Sequence, residues 1–82
     1  MSISKDTALS ILAAYEKIEL IEKAIRITEG GVRVPGIVLY DGKSDLHIEV
    51  SNAIAIEALN HALVAARAEL DAANQRALEE LK

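Results

Sequence analysis

The residues of this sequence that could carry out acid, base or metal chemistry are few. His47 and His61 are its only imidazoles, and it contains no cysteine. Glu57 precedes His61 by four residues, a spacing that brings two side chains together on one helix and would allow a general-base pair. The same spacing is ordinary between side chains that stabilise a helix, and neither histidine belongs to a zinc-ligand motif. We therefore predict no catalytic residue, no metal site and no cofactor.

The glycine pattern also argues against an enzyme. A phosphate-binding loop follows a strand and opens a helix, because the helix N-terminus supplies the free N–H groups. Gly30 and Gly31 instead end a predicted helix and precede a predicted strand. No Ser or Thr stands at motif spacing from a base, so the sequence predicts a protein without enzymatic activity.

A second set of residues could bind a small anion. Arginine makes bidentate contacts with phosphate or carboxylate groups, and tyrosine can stack on a base or donate its hydroxyl. Residues of these types follow the end of the first predicted helix and the predicted hairpin, so they could converge from several subunits. In the alternative interpretation they are solvated strand charges and a tyrosine packed on the hairpin. The candidates are Arg26, Arg33, Tyr40, Lys43 and His47.

The first element that would position these residues is a helix over about 5–28. Ser4 can cap it, and no glycine or proline follows until Gly30. At 100° per residue, its apolar side chains form two separate stripes, so the helix needs two packing partners. We expect a second subunit to supply one of them. One stripe contains Ile11, Ala14, Ile18, Ile21 and Ile25, and the other contains Leu9, Ala13, Leu20, Ala24 and Ile27.

A β-hairpin is predicted over about 32–50, where the apolar spacing changes from helical to alternating. The second strand should bury Leu46, Ile48 and Val50 and leave His47 and Glu49 in water. The turn could be tight at Asp41-Gly42 or could span residues 41–45, so the register stays open. A two-stranded hairpin is marginally stable in water, which predicts that it lies on the helices or pairs with another subunit.

The second helix, predicted over about 52–80, carries the three-and-four spacing of a coiled-coil seam. A neighbouring flank contains Ala55, Ala58, Ala62, Ala65 and Ala72, which either allow close packing of another helix or reflect the helix propensity of alanine. The predicted oligomer interface combines the seam with large members of the second stripe on the first helix. Its residues are Leu9, Leu20, Ile27, Ile56, Leu59, Leu63, Ala66, Leu70, Ala73 and Ala77.

Composition limits the partners. A net charge of −4 and a pI near 5.0 argue against binding to a phosphate backbone, and a chain without Phe or Trp has few aromatic platforms for bases. Charged residues interrupt every apolar run before it could span a bilayer. The absence of cysteine and of a secretory signal pattern predicts a cytoplasmic protein.

Together these patterns predict an α+β fold, with helix, β-hairpin and long helix (αββα) in a single domain over residues 1–82. Because the chain is too small to build a large core, we expect it to form a homo-oligomer, which is a dimer or larger. The leading interpretation is a non-enzymatic interaction module that binds another protein. The alternative is a protein that sequesters an anionic metabolite or nucleotide signal in pockets between subunits. In general character, though not in any motif, the chain resembles small phage-encoded accessory or anti-defence proteins.

Overall fold

The computed structural model describes residues 2–31 and 35–82. It contains helix α1 (Lys5–Glu29), strands β1 (Gly36–Tyr40) and β2 (Asp45–Glu49), and helix α2 (Asn52–Glu80). The predicted order of helix, hairpin and helix is confirmed. The start of the predicted hairpin at residues 32–34 lies outside the described residues, and Arg33 with it.

Both helices begin at a serine cap. The Ser4 hydroxyl oxygen accepts the backbone N–H of Thr7 at 3.2 Å, and the Ser51 hydroxyl oxygen accepts the backbone N–H of Ile54 at 3.3 Å. Each serine therefore satisfies one of the N–H groups that a helix start leaves unpaired. At the end of α1, Gly30 is the cap and Gly31 adopts a φ of +94°, which L side chains rarely adopt.

The helices pack antiparallel around a core of small side chains. The buried residues are Thr7, Ala14 and Thr28 of α1 and Leu63, Ala66, Ala73 and Ala77 of α2. The predicted seam of α2 thus packs on the first apolar stripe of α1 in the same chain. Of the buried side chains in residues 2–31 and 35–82, only that of Leu63 is larger than threonine.

The hairpin has one register and almost no burial. Ile37 pairs with Ile48 and Leu39 with Leu46, so these four apolar side chains share one side of the hairpin. All are exposed, from 42% for Ile37 to 58% for Leu46. The prediction that β2 buries Leu46 and Ile48 is wrong for a single chain, because the hairpin does not lie on the helices. Val50, beyond the strand, is half-buried.

Residues 41–44 form the turn. The Asp41 carboxylate accepts the backbone N–H groups of Lys43 and Ser44, each at 2.9 Å, and Gly42 has a φ of +92°. Side-chain capping of this kind is typical of aspartate at the start of a turn. It fixes a four-residue loop between Tyr40 and Asp45, intermediate between the two lengths that the sequence left open.

The molecule is a thin plate. Its Cα atoms extend over 50 × 32 × 14 Å, with a radius of gyration of 16.3 Å. A compact domain of this length would have a radius of gyration of about 12 Å. Stable domains normally bury their apolar surface between two layers of secondary structure, and this chain provides one. Within the described residues, neither helix has the length and hydropathy required to cross a membrane.

Candidate interaction surface

Two ion pairs mark the two broad faces of the helix pair. Lys17 Nζ lies 3.3 Å from Glu69 Oε1, and Arg67 Nη2 lies 3.6 Å from Glu22 Oε2. Two residues apart on α2, Glu69 and Arg67 are separated by about 160° around the helix, because each residue advances it by about 100°. The two ion pairs therefore lie on opposite sides of the plate.

The side with the Lys17–Glu69 pair is mostly apolar, and we call it the apolar face. α1 contributes the second stripe predicted from the sequence, and α2 contributes its alanine flank together with Ile54. Leu9, Leu20 and Ile27 are 52%, 68% and 54% exposed, so the single chain leaves the stripe uncovered. The face comprises Leu9, Ala13, Leu20, Ala24 and Ile27 of α1 and Ile54, Ala58, Ala62, Ala65 and Ala72 of α2.

Near the hairpin, the apolar face deepens into a groove of about 430 Å³. Ile37 of the hairpin lines this groove, and Leu39, Leu46 and Ile48 continue from it on the same side of the two strands. The apolar face of the helices and the apolar side of the hairpin therefore form one continuous surface. The groove is lined by Ala24, Ile27, Thr28, Pro35, Gly36, Ile37, Val50, Ile54, Ala55, Ala58 and Leu59.

The opposite side, which we call the polar face, is built differently. It carries the Arg67–Glu22 ion pair and a shallow groove of about 250 Å³ lined by Glu22, Ile25, Arg26, Asn60 and Leu63. Tyr15 of α1 points to this side, about 140° around the helix from Leu20, and is 52% exposed. The polar face thus presents a tyrosine beside its charged groups, where the apolar face presents leucine, isoleucine and alanine.

The predicted oligomer interface divides into two groups in the structure. Leu9, Leu20 and Ile27 lie exposed on the apolar face. In the α2 seam, the residues buried against α1 are Leu63, Ala66, Ala73 and Ala77. Ala66 and Ala73 are 0% and 1% exposed, while Leu59 lines the groove of the apolar face and Ile56 lines a shallow depression on α2. The sequence could not distinguish these uses, because a seam with heptad spacing fits a helix of the same chain as well as a helix of another.

The four predicted anion-binding residues that the structure describes do not form a pocket in one chain. Tyr40 and His47 share the side of the hairpin opposite Leu39, Lys43 lies in the turn, and Arg26 lines the groove on the polar face. Among these four described residues, no hydrogen bond or ion pair joins any two. Arg33, the fifth candidate, lies outside the described residues.

Glu57 and His61 lie side by side, as their spacing predicted. They line a shallow depression of about 330 Å³ on α2 together with Ala53, Ile56, Asn60 and Val64. Nothing else in this depression is titratable. In residues 2–31 and 35–82, the structure contains no cluster of three His, Asp or Glu side chains that could hold a metal ion.

One polar cluster has no recognisable pattern in the sequence. The Glu80 carboxylate accepts the backbone N–H of Ser4 at 2.6 Å and a hydrogen bond from the Thr7 hydroxyl. The Thr7 hydroxyl first, and then the Ser4 N–H, hold the Glu80 pKa below its ordinary value of 4.5. The apolar pattern thins after Asp71, which by itself predicts that the last turns of α2 fray or extend into a partner. Instead α2 runs to Glu80, because its end reaches the first turn of α1.

Comparison of the chain with protein-family models, curated proteins and solved structures finds no match.

Proposed function

We propose that this chain is a non-enzymatic, homo-oligomeric interaction module that binds another protein. The observation that carries the proposal is the imbalance between a very small core and a large exposed apolar surface. Leucine and isoleucine side chains contribute most to stability when they are fully buried, at about 1.5–3 kcal/mol each. Here the buried positions are mostly alanine, while Leu9, Leu20, Ile27 and Leu39 are each more than half exposed.

The accessible surface supports the same proposal. The chain exposes 6,249 Å². A compact monomer of 8.8 kDa would expose about 4,800 Å², so the excess is about 1,500 Å². Ordering a residue costs on the order of 1–2 kcal/mol in backbone entropy, which a one-layer chain must offset with little burial. A further copy of the chain would supply the missing apolar contacts.

The polar face supports the second half of the proposal, the binding of another protein. With the apolar face occupied by self-association, this side stays accessible. It presents Tyr15, Arg26 and Arg67, and tyrosine and arginine are residue types that contribute strongly to protein interfaces.

Unfolding in urea at several protein concentrations tests the proposal. An obligate oligomer unfolds and dissociates together, so its midpoint rises with protein concentration. We expect the urea midpoint to increase over a hundredfold range of concentration from micromolar upward. A midpoint independent of concentration, with a stable folded chain throughout, would contradict the proposal.

A further inference from the structure

The apolar face is shaped to accept helices. Along the middle of the plate its floor contains small side chains beside the Lys17–Glu69 ion pair. These small residues include Ala13, Ala62, Ala65 and Ala72, all exposed. Alanine allows two helices to approach to the shorter end of the usual interaxial range of about 8–10 Å. The larger Leu20 and Ile27 stand at the α1 side of this floor. A flat layer with exposed alanines between its larger side chains can receive another layer of helices.

The charged groups of the apolar face are compatible with a second copy of this chain as the other layer. Within the apolar face the charged groups are nearly balanced, since Lys17 pairs with Glu69 at 3.3 Å and Arg76 lies beside them in the same depression. The chain as a whole has a net charge of −4. The single carboxylate among these groups, that of Glu69, is paired with Lys17, so this central part of the face does not carry the negative charge of the whole chain when a second copy approaches. Like charges brought together across an interface would cost binding energy.

The area also fits a second copy. Covering the excess surface of about 1,500 Å² on each of two chains would bury about 3,000 Å² in total, which lies in the range of obligate homodimers. The groove continues the apolar face onto the hairpin, so the same contact would cover Ile37 and Leu39. A symmetric pair uses the same patch twice and closes without leaving an open surface.

We propose that the apolar face is the homodimer interface, with two chains packed face to face in two layers. This inference rests on the proposed function and adds the surface and its occupant, a second copy of this chain. The two polar faces then point outward in opposite directions, and the four helices form a bundle around the alanine floors. The hairpins are covered by the same association.

Charge substitutions on the two faces test this arrangement by sedimentation velocity. Leu20→Glu and Ala65→Glu place a carboxylate in the proposed interface, and we expect self-association at least about tenfold weaker, because a buried unpaired charge is costly. Tyr15→Glu and Asn74→Glu are the matched controls on the polar face of the same helices. They should keep the dissociation constant of the natural chain. The inference is overturned if the controls dissociate the assembly while the apolar-face variants leave it intact.

Distance measurements provide a second test that does not depend on disruptive variants. The chain has no cysteine, so a single cysteine carries a spin label specifically. Ala65→Cys and Arg67→Cys lie at nearly the same height on α2 but on opposite faces of a plate 14 Å thick. We expect a shorter label-to-label distance for position 65 than for position 67. The reverse order would exclude face-to-face packing through the apolar face, whereas a monomeric natural chain would instead refute the proposed function itself.

Discussion

Glu80, the last residue of α2, accepts the backbone N–H of Ser4 at 2.6 Å, and this bond joins the end of the chain to the start of α1. The position is favourable for a carboxylate, since the N-terminus of a helix carries partial positive charge. The hydroxyl of Thr7 adds a second hydrogen bond. At the end away from the hairpin, hydrogen bonds to the Glu80 side chain therefore hold the two helices together.

The Glu80 contact predicts a specific pH dependence of stability. The hydrogen bonds lower the folded-state pKa of Glu80 below 4.5, its ordinary value. Its contribution is therefore present above pH 4.5 and is lost as the pH falls through the folded-state pKa. We expect Glu80→Gln to lower the melting temperature at pH 7, and the difference from the natural chain to shrink below pH 4.5. Thermal unfolding between pH 7 and pH 3 measures both.

Glu79→Gln is the control for this experiment. Glu79 Oε1 lies 3.6 Å from Lys82 Nζ, and both side chains are at least 70% exposed. This ion pair therefore contributes little to stability. A melting difference of the same size and pH dependence in Glu79→Gln would show that the effect belongs to net charge and not to the contact of Glu80 with α1.

The alanine core predicts a strong limit on side-chain size. Ala66 is 0% exposed between the helices. Ala66→Leu should lower the free energy of unfolding by about 1–3 kcal/mol, because the added atoms would force the helices apart. Ala68→Leu, at an exposed position on the same helix, should change it by less than about 0.5 kcal/mol. Urea titrations at one fixed protein concentration compare the variants, and equal effects at both positions would contradict the packing described.

Local signals in the sequence predicted the elements well. Ser4 marked the start of the first helix, and the Gly30-Gly31 pair marked its end, because these residues satisfy or terminate helices through contacts a few positions away. Ser51 and Asn52 are both residue types that cap helices, so only the structure shows that Ser51 is the cap. The four-residue turn at 41–44 also needed the structure, because the alternating strand pattern fits more than one turn length.

The sequence patterns did not predict which helices and side chains contact one another across long separations in the chain. The α2 seam from Ile56 to Ala77 could serve a helix in either the same or a second chain, and the structure uses it within the chain. No sequence pattern predicted the hydrogen bonds of Glu80, because its partners Ser4 and Thr7 lie at the other end of the sequence. The burial predicted for Leu46 and Ile48 assumed a layer beneath the hairpin that a single chain does not provide.

The geometry of the hairpin turn predicts that a side chain at position 42 lowers the free energy of unfolding. Its φ of +92° is unfavourable for any side chain with a Cβ, while the space around it is open. Gly42→Ala should therefore lower the free energy of unfolding by about 1–2 kcal/mol through backbone strain alone. Lys43→Ala keeps the backbone N–H that donates to Asp41, so it should leave the free energy of unfolding nearly unchanged. Urea unfolding of both variants is the measurement, and a neutral Gly42→Ala would contradict the turn geometry.

The separation of the anion candidates predicts the outcome of a ligand screen. Arg26 lies on the polar face of the helices, and Tyr40 and His47 lie on the hairpin. We expect inorganic phosphate and common nucleotides to leave the melting temperature unchanged. A specific ligand at one hundred times its dissociation constant would add about 2.7 kcal/mol. A clear shift that Arg26→Ala or Tyr40→Ala removes would favour the sequestering function over the protein-binding one.

The most direct test of self-association is native mass spectrometry of the freshly purified protein. The thin plate, the alanine core and the exposed apolar face predict a mass that is a multiple of the 8.8 kDa chain, most simply a dimer. The dimer should carry no added small-molecule mass. A folded chain found only at the mass of one copy at micromolar concentration would contradict the account.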